Sequence, residues 1–484
     1  MSPESLTVVS EPAEHHLERQ MRLRDLVLAQ ILTVVGSSWV GIAAGLGRAQ
    51  LVAWLIAFGL FYIPMAVAVY FLNREMPLEG GLYVWARRAF GDGIGFLTAW
   101  NIWTYGISTI ATILFQIPSE LSYMIGPRAA GLPDNRIAVA SLLAVVLLLL
   151  AWTARRGLSL GKWIHNASGA AMLTVFALLI VSPLWAWAHG AHLHYAPVAF
   201  HLPARDPTSL SLLGQTLFAA AGLEYIAIMA GETHAANREI GRSVIVASPI
   251  VFLMFVLGTA SVLCFHELHA AVPINYVAPI PQTLSLAFGT TGWAALVAKL
   301  AILLLQIRIL GAASYIFTGL VRLPMAAGWD HLVPEWFARL HPRFRTPTNS
   351  ITLTTIAIGA LLVLGSAGVH ASEAFAVLND TSSELYALAY LAMFLIPIAG
   401  AKAVRRHLPK WVAAVCWLGL LTIIFILIFN AYPFVNVSSP SIFALKIVGT
   451  TVLLNVVGYV FYRARSRRGS RPQPAELQGS DQAL

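Results

Sequence analysis

Twelve long apolar stretches divide the chain, near residues 26–47, 51–72, 94–118, 137–152, 165–187, 209–230, 243–265, 290–320, 349–366, 374–400, 411–429 and 440–462. Each is close to the ~20 residues an α-helix needs to cross the hydrocarbon of a bilayer. The polar segments between them are short, the longest about 20 to 28 residues, which leaves no room for a soluble domain. The pattern predicts an all-α polytopic membrane protein with 12 transmembrane helices. The first stretch is interrupted at Val34-Val35-Gly36-Ser37-Ser38-Trp39-Val40-Gly41. Two glycines and two serines within six residues make a poor helix interior. A broken membrane helix is tolerated only where its freed backbone faces protein or a wet cavity. Such a break holds a solute, or else its small residues let two helices pack closely.

A second interruption stands in the sixth stretch, at Phe218-Ala219-Ala220-Ala221-Gly222-Leu223-Glu224-Tyr225. The first and sixth helices are equivalent if the chain is a five-plus-five inverted repeat with discontinuous helices 1 and 6, plus two C-terminal helices. Interrupted helices at matching positions of two repeats point to a transport site. The expected division is an N-terminal segment 1–25, a first repeat 26–187, a second repeat 209–400, helices 11 and 12 over 411–462, and a disordered tail 463–484.

Composition supports the membrane reading. The 484 residues are 58% hydrophobic and only 11% charged, with a mean hydropathy of +0.73, where a soluble chain carries about a quarter charged residues. A net charge of +9 raises nucleic acid as a partner, and the placement of the charge excludes it. With the N-terminus cytoplasmic, 24 of the 31 Lys and Arg fall on inner segments, four on outer loops, and three (Lys299, Arg308 and Lys446) in or at the edge of spans. That asymmetry is the positive-inside signal, so both termini are expected in the cytoplasm. The arginines after the last span suit anionic lipid headgroups. The N-terminus has no cleavable signal pattern, and Cys264 and Cys416 lie in apolar stretches, so neither a disulfide framework nor a metal site is expected. His189, His192 and His194 are closely spaced, but no acid or thiol completes a metal set.

Ionisable residues inside a span are costly and mark function. Glu224, in the second interruption, is the candidate for proton coupling, because a carboxyl among apolar groups can load and release a proton. Glu384 and Lys299 are further intramembrane charges. Arg308, near the middle of the eighth span, keeps its charge under all conditions and shares a helix face with Ala312 and Ile316.

These residues resemble the amino acid permeases of the amino acid–polyamine–organocation superfamily. Gly36-Ser37-Ser38-Trp39-Val40 is similar to that family's break in the first helix. Pro77-Leu78-Glu79-Gly80-Gly81-Leu82-Tyr83, with Phe90-Gly91 and Ala99-Trp100, resembles its entry into helix three. Arg156 to Trp163 resembles the loop before helix five, and Gly222-Leu223-Glu224 with Gly231-Glu232 the glutamates in and after helix six. Arg322 to Ala326, Asp330 to Pro334 and Thr346-Pro347 resemble the loop after helix eight. The chain departs at Ala235-Ala236 and at Ile240-Gly241-Arg242, and its fifth span lacks the lysine that some members carry in place of a sodium ion.

The resemblance implies a secondary transporter of an amino acid or close amine in the cytoplasmic membrane, proton-coupled or an exchanger, with a polyamine or amino acid/amine antiporter as the alternative. It implies no enzyme activity and no cofactor. The substrate carboxylate would meet the amides of Ser37, Ser38 and Trp39 at the N-terminus of a half-helix. The ammonium would meet carbonyls of Val34, Val35 and Phe218 to Ala221, ahead of Gly222. Phe218 would gate the site, and Trp103, Ile107 and Ala312 would line it. Arg308 would pair with Glu384 or Glu224, tether helices one and eight in place of a sodium ion, or bind a substrate side-chain carboxylate. A major-facilitator transporter is disfavoured, because the 73–93 loop lacks that family's signature. A membrane-embedded lipid enzyme would need clustered carboxylates or metal ligands near a membrane face, and a transporter-like sensor stays open.

Overall fold

In a computed structural model of the chain, the described residues are 23–76, 81–156, 161–223, 236–326, 336, 339–341, 344, 346–366 and 371–469. They form helices and connecting turns, with no strand among them. In chain order the helices are α1 Leu23–Val34, α2 Ser37–Ala44, α3 Gly47–Glu75, α4 Leu82–Phe90, α5 Asp92–Ile125, α6 Arg136–Arg156, α7 Gly161–Ala188 and α8 Pro207–Phe218. Then follow α9 Ala236–Leu268, α10 Pro279–Phe288, α11 Gly292–Ala326, α12 Thr348–Ser366, α13 Ala371–Ala399, α14 Lys410–Phe429 and α15 Pro440–Gly469, with the short turn Lys402–Arg405 before α14.

Eight of the described helices are long and apolar enough to cross a membrane, and the bent pair α1/α2 makes a ninth. α5, over the third expected span, is 34 residues long but rich in Thr, Ser, Asn and Gln. Its polar residues are buried rather than facing lipid, because α5 is the centre of the bundle, packed against α13, α11, α4 and α15. The peripheral helices show the opposite face. In α13, 67% of the most apolar window is buried, against 22% in α15, and Leu148, Leu184, Leu364 and Leu453 stand exposed as a lipid surface would require.

Small residues bring the inner helices together, as membrane packing favours. A Cβ on Gly106 of α5 would stand 2.7 Å from Leu320 of α11, and one on Gly169 of α7 would stand 3.0 Å from the Leu28 carbonyl of α1. The Ser168 hydroxyl donates to the Ile307 carbonyl at 3.1 Å, fixing α7 against α11. At the C-terminus, α15 runs past the expected end at 462, so Arg463 to Gly469 are helical rather than part of a disordered tail. The Arg463 guanidinium holds the Tyr459 hydroxyl one turn back at 2.8 Å, which helps to carry the helix on.

Candidate functional site

α1 and α2 meet at 49° across Val35 and Gly36. Val35 still donates to the Ile31 carbonyl, and the chain leaves the helix at Gly36, whose backbone is extended (φ −100°, ψ 145°). No side chain caps α2. The amides of Ser37, Ser38 and Trp39 are therefore the first-turn donors that lack partners inside the helix. Gly36 has a steric cause as well. A Cβ there would stand 2.6 Å from Cδ1 and 2.7 Å from Nε1 of Trp39, so the indole lies over the break.

The flanks of the break are held by polar groups from two other helices. The Ser37 hydroxyl lies 2.9 Å from Gln116 Oε1 and 3.3 Å from Glu120 Oε1, both on α5. Gln306 of α11 donates to the other Glu120 oxygen at 2.7 Å. Arg308 of α11 reaches the same place and donates from Nη2 to the Val35 carbonyl at 3.2 Å. Its Nε and Nη1 are buried without a hydrogen-bond partner. Glu120 is fully buried and Arg308 is 4% exposed. A guanidinium there satisfies an orphan carbonyl and brings positive charge to the neighbourhood of a buried carboxylate, which would be very costly without it.

On the other flank, α8 ends at Phe218. The Ala220 and Ala221 amides bond back to the carbonyls of Leu217 and Phe218. Gly222 follows at φ +112°, a conformation open to glycine and strained for other residues. Its amide donates to the Tyr390 hydroxyl of α13 at 2.9 Å. A Cβ on Gly222 would lie 3.6 Å from Val34 and 3.8 Å from the Thr33 carbonyl, so the two interruptions touch. The Phe218 ring stands edge-on to Trp39 (centroids 6.3 Å apart) and to Tyr386 (6.2 Å), and Tyr386 stacks on Tyr105 at 3.9 Å.

The structure therefore brings Val34, Val35, Gly36, Ser37, Ser38, Trp39, Phe218, Ala219, Ala220, Ala221 and Gly222 into one neighbourhood. Trp103, Ile107 and Ala312 are buried on the helices that surround it. Trp100 packs against Phe96, Trp103 and Phe461 and donates to the Leu454 carbonyl, a structural position. Two expectations shift. Val35 carries its carbonyl toward a guanidinium, whose charge makes it a poor acceptor for a substrate ammonium. Among the described residues Arg308 donates to the Val35 carbonyl of α1 rather than pairing with Glu384. Lys299 is half-buried and nine residues before Arg308, and Glu224 lies outside the described residues.

Glu120, Gln116, Gln306 and Tyr390 were not anticipated. Glu120 lies past the expected end of the third span, and only the continuation of α5 through Pro118 buries it. Beside it, Ser119 lines a cavity of about 780 Å3 that opens between the ends of α5 and α10 and is bordered by Tyr123, Asn275 and Gln282. The Asn275 amide donates to the Tyr123 hydroxyl at 3.3 Å across this cavity.

A profile of the amino acid permease family matches residues 26–453. An uncharacterised transporter of Legionella pneumophila is 24% identical over 79% of this chain and 82% of its own length. An arginine/ornithine antiporter of Pseudomonas aeruginosa is 24% identical over 65% of this chain and 64% of its own. A serine/threonine exchanger of Bacillus subtilis is 23% identical over 73% and 76%.

Proposed function

The chain belongs to the amino acid permease family, and from that premise we propose that it exchanges an amino acid or a closely related amine across the cytoplasmic membrane by alternating access at the α1/α2 break. The observation that carries the reading is the break itself. Its first-turn amides of Ser37, Ser38 and Trp39 are free of side-chain caps, and its C-terminal side meets the interruption at Gly222. Free amides at a helix N-terminus favour a carboxylate. The Val34 carbonyl and the carbonyls after Phe218 are the acceptors left for an ammonium. Trp39 and Phe218 cover the pair of breaks, and rotation of either ring would open it.

Arg308 acts as a permanent tether between α1 and α11, the place a removable cation would otherwise serve. Its charge cannot be shed in the cycle. Two relatives are named as an antiporter and an exchanger, which supports exchange over uptake driven by an ion gradient. The full arrangement is then twelve spans in a five-plus-five inverted repeat with two further helices. α5, α12 and the interrupted helix that begins with α8 join the nine apolar spans. Both termini then face the cytoplasm, a reading that the 24 inner against four outer basic residues support.

Counterflow in proteoliposomes tests the proposal. Vesicles loaded with unlabelled amino acids should accumulate labelled amino acid without an imposed gradient. A membrane enzyme or a sensor would leave the label outside. An imposed proton gradient that drives net uptake without internal substrate would replace exchange by proton symport.

A further inference from the structure

One half-buried acid of α13 has a basic partner, and among the described residues two buried ones do not. Near the start of the helix, Glu373 receives Lys446 of α15 at 2.7 Å. Two to three turns further on stand Asp380 and Glu384, four residues apart and so on one face, 0% and 4% exposed. Asp380 Oδ1 accepts from Gln215 Nε2 of α8 at 2.6 Å and from Asn379 Nδ2 at 3.2 Å. Asp380 Oδ2 and Glu384 Oε1 are buried with no hydrogen-bond partner, and among the described residues neither carboxylate has a basic group within ion-pair distance. Two unpaired carboxylates one turn apart in an apolar interior are costly, and residues kept there at such cost serve a pathway or a ligand.

Their position says which. Gln215, which holds Asp380, is three residues before Phe218, so about one helical turn, roughly 5 Å, separates it from the break. On α13 Tyr386 meets Phe218 and Tyr390 holds the Gly222 amide, and Tyr105 of α5 stacks on Tyr386. A buried carboxylate without a basic partner is a counter-ion for an organic cation. A four-carbon side chain spans one turn, so a molecule whose head group lies in the break can reach the pair with its far end. We propose that Asp380 and Glu384 form the subsite for a distal ammonium or guanidinium, so that the substrate is a basic amino acid or a diamine-like amine. The proposal rests on the transport reading and specifies its substrate.

The experiment is counterflow with lysine, arginine and agmatine set against alanine, serine and leucine, in the wild-type protein and in Asp380→Asn and Glu384→Gln. The basic probes should exchange and should compete at lower concentrations than the neutral ones. Each variant should weaken the basic probes about 30-fold or more, the loss expected when one partner of a buried charge pair is truncated, and leave neutral exchange within about threefold. Exchange of neutral amino acids without basic ones overturns the subsite and leaves the transport reading standing. No exchange of any probe overturns both. Equal loss of basic and neutral exchange in the variants assigns the pair to folding, and a requirement for sodium or protons that the variants abolish assigns it to an inorganic cation. Either result refutes the proposal, and the wild-type panel decides even where a variant fails to fold.

Discussion

The indole over Gly36 gives the most direct test of the break. The backbone of Gly36 (φ −100°, ψ 145°) is open to alanine, so Gly36→Ala introduces no conformational strain of its own. The added methyl would stand 2.6 Å from Trp39 Cδ1 and 2.7 Å from Nε1. Ordinary carbon contact begins near 3.5 Å, so the ring has to move by roughly 1 Å. Two costs follow. Overpacking of this kind costs about 1–3 kcal/mol, and displacement weakens the edge-on contact with Phe218, worth about 0.5–1.5 kcal/mol. Gly36→Ala should therefore lower unfolding stability in mixed micelles by about 1–3 kcal/mol and slow counterflow by about tenfold, since 1.4 kcal/mol is a factor of ten. Trp39→Ala removes the ring that the methyl strikes. The double variant should thus lose less than the sum of the two single losses, by about 1 kcal/mol or more, beyond the ~0.5 kcal/mol scatter of independent sites. Additive losses in the double variant would refute the reasoning, because the damage would then not come from the Trp39 contact.

Three further predictions follow from the same contacts. Arg308→Met leaves the Glu120 carboxylate without its cation and should destabilise the protein by about 3–5 kcal/mol. Adding Glu120→Gln should recover part of that loss, and a double variant less stable than Arg308→Met alone would show that the charges do not compensate one another. Tyr390→Phe removes the acceptor of the Gly222 amide. It should cost about 1–3 kcal/mol and speed amide exchange at Gly222, and unchanged protection there would sink the assignment. Asp206, at the exposed start of α8, caps the helix by accepting from the Ser209 amide at 3.0 Å, and the Ser209 hydroxyl together with that amide holds its carboxyl below its ordinary value of 3.8. Its folded value is depressed, so the cap is fully present above the unfolded value and is lost as pH falls through the folded one. Asp206→Asn caps without titrating, so a melting series from about pH 5 to about pH 3 should fall less steeply in the variant, and parallel curves would exclude the carboxyl as a contributor.

What could be read from the sequence follows from what the bilayer forces on a chain. Apolar length is compulsory for a spanning helix, so helices lie on or close to all twelve apolar stretches wherever residues are described. Gly36-Ser37 and Ala219 to Gly222 announced their breaks, because few other residues suit a helix that stops inside an apolar segment. The polar partners were harder to read. Glu120 follows Ile117-Pro118-Ser119, and a proline and a serine before an acid look like the start of a loop. The helix instead passes through Pro118 to Ile125, and the carboxylate turns inward to Ser37 and Gln306. Asp380 was hidden differently, inside a polar run, Asn379 to Glu384, in which no single residue stands out. Arg308 was visible as a charge, but its acceptor, the Val35 carbonyl, lies 273 positions away, and no local pattern encodes a pairing over that distance.

The ties at the break also decide where motion has to begin. α1 is held to α11 through Arg308 and the Val35 carbonyl, while α2 is held to α5 through Ser37 with Gln116 and Glu120. The two half-helices thus have different anchors on either side of an extended Gly36. The anchors themselves are joined by the Gln306–Glu120 bond at 2.7 Å. A displacement of α11 against α5 therefore has to break that bond first, and the backbone dihedrals at Val35 and Gly36 are where the resulting rotation is absorbed. A hydrogen bond to a charged group is worth about 1.5–3 kcal/mol, small enough to open on the microsecond-to-millisecond scale of collective motions. Parting the buried Arg308 guanidinium from the Val35 carbonyl would leave a desolvated charge with no hydrogen-bond acceptor among the described residues, and that contact is therefore expected to outlast the Gln306–Glu120 bond.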